Sequence, residues 1–188
     1  EVVVGVMGCP NLPYRGEPGA PGAGSPIGVL FVAVRGQGTR MMPLFESGPE
    51  TTGEPVRAAA PASTADARYA ESVEAAHSNQ SDAARIGAAL GITAEPVRLD
   101  SQTKYAMVAR GDASSDLRVP RGDYRENIWD HAAGMLVVSE AGGRVSDVEG
   151  RPFDITTGQR MTDNRGAVVT AASIHDEVVA AVRSVLGG

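Results

Sequence analysis

A serine and a lysine three residues apart stand in the run Asp100-Ser101-Gln102-Thr103-Lys104-Tyr105. A short apolar run at 97–99 precedes them and helix-forming residues follow, so a strand is expected to hand over to a helix here. Free backbone N–H groups and the dipole at such a helix start attract anions. Lys104 falls one turn along the same face. A hydroxyl, amides and an ammonium converging on one point suit a phosphate. The same residues also suit an ordinary Ser101 N-cap beside a solvated Lys104. A serine acylation pair of the SxxK kind needs downstream SDN and KTG elements, and the sequence contains neither.

A second pattern is Ile128-Trp129-Asp130-His131-Ala132-Ala133-Gly134. A helix entry is expected here, where a carboxylate is favoured by the dipole and can ligate a hard cation such as Mg²⁺. Asp130 serves equally as a capping carboxylate, and His131 as a core or surface histidine. Ala132, Ala133 and Gly134 permit close packing, and Trp129, the only tryptophan, is expected to fill an apolar slot. In Leu117-Arg118-Val119-Pro120 an arginine alternates with apolar residues, placed to fork onto a phosphate or carboxylate or simply to face solvent. His77-Ser78 falls between a predicted strand and a predicted helix and is ambiguous alone.

The elements that must position these groups read as follows. The chain opens on Glu1 and passes at once into Val2-Val3-Val4-Gly5-Val6-Met7, which reads as a buried strand with no polar lead-in. Further chain upstream is therefore expected. Residues 10–26 are a Pro/Gly-rich loop, 28–34 a second strand pairing with the first, and 35–39 a tight turn. Residues 46–67, rich in Pro, Thr, Ala and Glu, read as a long loop or linker. From residue 68 strands (68–73, 97–99, 117–119, 144–148, 166–171) alternate with helices (81–90, 101–110, 127–141, 174–186). Such alternation predicts a mostly parallel sheet with helices on its faces. Ser81 is the expected cap of the first helix, and Gly91, Gly111 and Gly142-Gly143 are stop signals.

The chain has 188 residues, 42% hydrophobic and 21% charged, which suits one globular domain or a little more. Its net charge of -6 argues against bulk attraction to nucleic acid or an anionic membrane. Aromatic residues make up 4%, so the core must be aliphatic. A single cysteine, Cys9, excludes an internal disulfide and a cysteine zinc site, and favours a reducing compartment, most simply the cytoplasm. The three histidines lack metal-cage spacing, and no apolar run is long enough to span a bilayer.

Taken together, IWDHAAG at 128–134 and SEAGGRVSDVEGRPFD at 139–154 resemble the C-terminal signature of the inositol monophosphatase superfamily, Mg²⁺-dependent and often lithium-sensitive phosphatases. GCPNL at 8–12, the His77-Ser78 pair, LDSQTKY at 99–105 and LRVP at 117–120 resemble its 3′(2′),5′-bisphosphate nucleotidase branch. The resemblance implies a layered α/β sheet-and-helix sandwich lacking its N-terminal elements. It implies the end of an antiparallel-sheet portion plus linker over 1–67 and a nearly complete α/β portion over 68–188, a mixed sheet between helices. It implies hydrolysis of the 3′-phosphate of adenosine 3′,5′-bisphosphate (PAP) to AMP and phosphate, with action on PAPS as well.

On the matching positions it implies that His77, Ser101, Lys104 and Arg118 hold the nucleotide, and that Asp130 binds a catalytic Mg²⁺ and meets substrate. The family's Glu-Glu and DP(I/L)DGT motifs do not occur in these residues, and Asn127 replaces a usual lysine. The expectation is therefore an enzyme of about twice this length, whose upstream segment partners this one, with the isolated chain inactive. An inositol polyphosphate phosphatase on the same scaffold, or a non-catalytic nucleotide-binding fragment, are the alternatives.

Overall fold

Alternation of inward and outward side chains builds the first layer. The structure, a computed structural model, describes residues 1–46, 48, 50–73, 80–119, 122 and 124–187. Strands β1 (Val4–Pro13), β4 (Ile27–Val34), β5 (Gly38–Pro43) and β6 (Glu54–Val56) form an antiparallel sheet in the order β1-β4-β5-β6. Val4 pairs with Val34 and Cys9 with Val29, so the first two apolar runs do pair. A two-residue-per-strand hairpin, β2 (Gly16–Glu17) and β3 (Ala20–Pro21), decorates the Pro/Gly-rich loop.

The first strand is not buried on both faces, as its run of valines led us to expect. With a period of two, Gly5, Met7 and Cys9 turn inward while Val4 and Val6 stay 53% exposed. As an edge strand it tolerates Pro10 and Pro13, whose missing N–H groups can fall where no neighbour needs them. Two strands of this first sheet were not foreseen: β5, and β6, which lies inside the stretch read as loop or linker and pairs with β5.

The second sheet has the order β10-β11-β9-β7-β8, from β7 (Tyr69–Glu71), β8 (Val97–Arg98), β9 (Ser115–Arg118), β10 (Gly143–Ser146) and β11 (Ala167–Ala171). It is mixed, as the resemblance implies, where strand–helix alternation alone predicts a mostly parallel sheet. β7 lies parallel to β8 and β9, because helices α1 (Gln80–Ala89) and α2 (Thr103–Arg110) supply the crossovers. No helix lies between β10 and β11, so β11 runs back antiparallel to β10 and also to β9.

Helices α2 and α3 (Ala132–Glu140) fill the space between the sheets. One core joins the inner face of the first sheet (Met7, Val29, Phe31, Met41), both helices, and Ala70, Val97, Ala167 and Val169 of the second. Residues 103–109 of α2 are all buried, as expected of a helix walled on both sides. A second cluster packs Ile86 and Leu90 with Val178 and Val182 of α4 (His175–Leu186) onto Leu117 and Val168, on the far face of the second sheet. The order is thus sheet, helices, sheet, helices. Gly134 of α3 makes the middle layer thin: a Cβ there would lie 2.5 Å from Tyr105 Cγ on α2.

Two helix boundaries differ from the reading of the sequence. Ser101 is not the N-cap of α2: Gln102 holds that place with no side-chain capping bond, and Ser101 has φ +65°. The helix expected over 127–141 is broken. Ile128–Asp130 forms a 3₁₀ turn, and His131 has non-helical angles before α3 begins. Gly111 (φ +84°) ends α2 as expected. The start of α1 borders residues outside the described set, and so does the Ser81 cap read there.

Candidate functional site

Strand β9 delivers two charged side chains to the helical layer. Leu117 faces the outer cluster, so Asp116 and Arg118 face α2 and α3. Asp116 is 1% exposed. Lys104 reaches it from the first turn of α2, with Nζ 3.8 Å from Asp116 Oδ1 and 2.7 Å from Ser72 Oγ. Lys104 is itself 5% exposed, so it is not a solvated lysine. Its ammonium donates to Ser72 Oγ and faces the Asp116 carboxylate at ion-pair distance. Asp116 Oδ2 has no hydrogen-bond partner, and the adjoining cavity lined by Tyr69, Ser72, Lys104 and Asp116 has a volume of about 10 Å³, room for about one water.

Arg118 is the hub. Its Nη1 lies 3.4 Å from Glu126 Oε2. Burial pulls its basicity down, but the fields of Asp116, Tyr105, Glu126 and Asp130 outweigh that and raise it above the ordinary arginine value. Glu126 is the mirror case. Burial pushes its carboxyl up, yet His131 and Arg118 hold it below the usual carboxylate range. Asp130 ends the 3₁₀ turn, half-buried, with Oδ2 3.3 Å from Asn127 Nδ2.

Behind Asp130 the next side chain turns inward. His131 is fully buried, edge-on to Phe153 at 5.1 Å between ring centroids. Its Nδ1 lies 2.5 Å from the Tyr105 hydroxyl. Its Nε2 faces Glu126 Oε2 at 3.2 Å, an electrostatic contact off the line of a straight hydrogen bond. Burial raises the Tyr105 phenol far above its ordinary value, so it stays protonated and can donate to Nδ1.

Of the residues singled out from the sequence, Lys104 lies against Asp116, and Arg118 lies within electrostatic reach of Asp116 and Asp130. Ser101 stands in the exposed turn before α2, its carbonyl accepting from Lys104 N at 3.4 Å. His77 lies outside the described residues. Trp129 fills no slot: it is 63% exposed. Sequence reasoning missed Asp116, Glu126 and Ser72. Had the strand been started at 115, the i, i+2 spacing would have placed Asp116 beside Arg118.

Among the described residues no three acidic, histidine or cysteine side chains gather as a metal cage. Asp130 still suits a share in one. Its Oδ1 has no hydrogen-bond partner among the described residues, and Mg²⁺ is often held by one or two carboxylates plus substrate phosphate and water. Larger cavities lie elsewhere among the described residues. One of about 310 Å³ is lined by Tyr14, Arg15, Glu54, Arg57, Arg110 and Asp112. Another, of about 360 Å³, lies beside Glu140, whose carboxylate accepts from Gly36 N and Gly38 N at 2.9 Å each.

The model of the inositol monophosphatase family matches residues 1–186. A 3′(2′),5′-bisphosphate nucleotidase of Emericella nidulans is 43% identical over 196 residues, covering 99% of this chain and 55% of that protein. The enzyme of the same name from Schizosaccharomyces pombe is 40% identical over 185 residues, covering 97% and 51%. The chain thus spans about half the length of the curated relatives it matches. Among solved structures, the extragenic suppressor protein suhB from Bartonella henselae superposes with a TM-score of 0.60 at 22% identity, over 85% of this chain and 59% of that one. Mycobacterium tuberculosis SuhB gives 0.58 at 20%, over 85% and 55%. The fold is of the inositol monophosphatase type, with the layered α/β architecture described above.

Proposed function

The chain belongs to the inositol monophosphatase family, and on that premise we propose that it serves a 3′(2′),5′-bisphosphate nucleotidase, hydrolysing the 3′-phosphate of PAP to AMP and phosphate and acting on PAPS as well. Relatives of that name at 40–43% identity support the reading. The observation that carries it is Arg118, held within the field of Asp130 beside the buried Lys104–Asp116 pair. A fixed guanidinium forks onto phosphate oxygens, and the Lys104 ammonium adds positive charge beside Asp116. Ser101 lies in the exposed turn before α2, where its hydroxyl can meet the nucleoside; His77 belongs to the same assignment.

Asp130 is the residue of this chain that would hold Mg²⁺, with phosphate oxygens and water completing the shell. Bound there, the ion would polarise the phosphoryl group and ease departure of the 3′-oxygen. In the reaction water oxygen bonds to phosphorus, the bond to O3′ breaks, and O3′ leaves carrying a proton. The remaining metal ligands are assigned to an upstream segment of the same protein. Residues 1–67 and 68–188 are read as its two portions, the second carrying the nucleotide grip. Cys9 is buried and is the one cysteine of the sequence; a cytoplasmic setting belongs to the same proposal, and lithium sensitivity is a property to assay.

A second reading, that by itself the chain binds nucleotide without turning it over, is favoured because no three potential metal ligands gather among the described residues. Phosphate release from PAP and from inositol 1,4-bisphosphate, each with Mg²⁺ and alongside an AMP titration, separates the readings. AMP binding without phosphate release supports the fragment reading. Release from PAP supports the enzyme. Preference for the inositol phosphate, with no AMP binding, contradicts both.

A further inference from the structure

Glu126 is used by none of the assignments above, yet it stands between the two groups that matter most. Its single oxygen Oε2 lies 3.4 Å from Arg118 Nη1 and 3.2 Å from His131 Nε2. The first contact fixes the guanidinium on β9. The second meets the ring of the residue after Asp130. His131 is tied in turn to the Tyr105 hydroxyl on α2, and Tyr105 is wedged against Gly134 of α3. The Glu126 backbone is anchored as well, its carbonyl accepting from Met161 N at 2.9 Å. One chain of contacts therefore runs α2–Tyr105–His131–Glu126–Arg118–β9, and Asp130 and Arg118 hang from neighbouring points on it. The Tyr105 hydroxyl donates to Nδ1, and the other ring nitrogen, Nε2, faces the Glu126 carboxylate as an electrostatic contact.

We propose that Glu126 is a positioning residue, whose carboxylate pins Arg118 and, through His131, the turn bearing Asp130, so that both face the bound nucleotide. The proposal rests on the nucleotide reading of this site for its effect on binding, but not for the pinning itself. A buried guanidinium left without its partner would swing toward Asp116 or Asp130 instead, since those are the other carboxylates in its field. The arrangement also accounts for a glutamate so close to a phosphate-binding arginine. Lone negative charge there opposes the phosphate, and the compensation is a preorganised donor that loses less freedom on binding.

The test uses the chain itself, with AMP as probe and two variants. In Glu126→Ala the AMP dissociation constant is expected to rise about tenfold or more, the scale of losing a hydrogen bond to a charged group. In Glu126→Gln, whose amide oxygen still accepts from one donor or both, affinity returns to within about threefold of wild type. Arginine side-chain NMR, with Arg118 identified by loss of its signals in Arg118→Lys, gives a second readout. Separate Nη–H resonances are expected in wild type and Glu126→Gln, and merging resonances in Glu126→Ala. A folded Glu126→Ala that binds AMP as wild type does, or Arg118 resonances unchanged by that substitution, overturns the proposal. Should wild type bind no AMP, the nucleotide reading falls, and the arginine resonances alone decide whether Glu126 pins Arg118.

Discussion

Gly134→Ala is a substitution that would stabilise most helices and is expected to destabilise this one. In an exposed helix interior, alanine gains about 1 kcal/mol over glycine. Gly134 has ordinary helical geometry, so no backbone strain opposes the exchange. The obstacle is the neighbouring helix. The new Cβ would sit 2.5, 2.7 and 2.9 Å from Tyr105 Cγ, Cδ1 and Cδ2, where carbon atoms rest at about 3.5–4 Å. Something must move by about 1 Å.

The ring cannot tilt freely. Tyr105 is fully enclosed, and its hydroxyl is held 2.5 Å from His131 Nδ1. Overpacking of this kind costs roughly 1–3 kcal/mol, and the loss of an aligned hydrogen bond adds about 1. After the helix-propensity gain, a net loss of about 2 kcal/mol is expected, or about 4–8 °C in midpoint for a chain of this size. Urea unfolding of wild type, Gly134→Ala, Tyr105→Leu and the double variant measures it. The double variant should be more stable than the sum of the singles by about 1 kcal/mol or more, because leucine removes the ring the methyl meets. A Gly134→Ala chain as stable as wild type, or more so, would refute the close packing of α2 on α3.

Two further outcomes are expected. His175 is buried with Nδ1 2.7 Å from Thr170 Oγ1 and Nε2 3.0 Å from Ser146 Oγ, and burial first, then Arg144, lowers it to about 4. Its unfolded value is near 6.5, so the unfolded chain binds the extra proton first. The neutral ring therefore stabilises fully above about pH 6.5, and that contribution drains away as pH falls toward 4. The share lost between pH 7 and 4.5 is about 2–3 kcal/mol, and urea midpoints of wild type against His175→Gln should show the steeper acid loss in wild type. Lys104→Met removes the ammonium beside buried Asp116 and leaves Arg118 as the cation in its field, which should cost about 1–3 kcal/mol; adding Asp116→Leu should recover part of it in thermal unfolding, and no recovery would show that the pair is not coupled.

How much of this was legible in the sequence differs from element to element. Strand–helix alternation after residue 68 gave the second sheet and its helices, because apolar periodicity and glycine stops are local signals; Gly111 with φ +84° is one such stop. The sense of β11 was not local, since it depends on what lies between strands. β6 was hidden by Pro55 in a three-residue edge strand, where proline reads as loop. The left-handed Ser101 gave no sign, as that conformation is marked by glycine or asparagine rather than serine. Trp129 misled in the other direction: size implied burial, while the structure leaves the ring exposed.

At the candidate site, Lys104, Arg118 and Asp130 were found from residue type and helix or strand position. Asp116 and Glu126 were not, because their importance lies in which buried cation each compensates. That pairing joins α2 to β9 and the 124–127 loop to both β9 and His131.

The most direct measurement of the central claim is a crystal structure of the chain with AMP and Mg²⁺ diffused in. The account expects the nucleotide phosphate within hydrogen-bond distance of the Arg118 guanidinium, with any bound cation on Asp130. A phosphate seated instead among Arg15, Arg57 and Arg110, at the other end of α2, would contradict it.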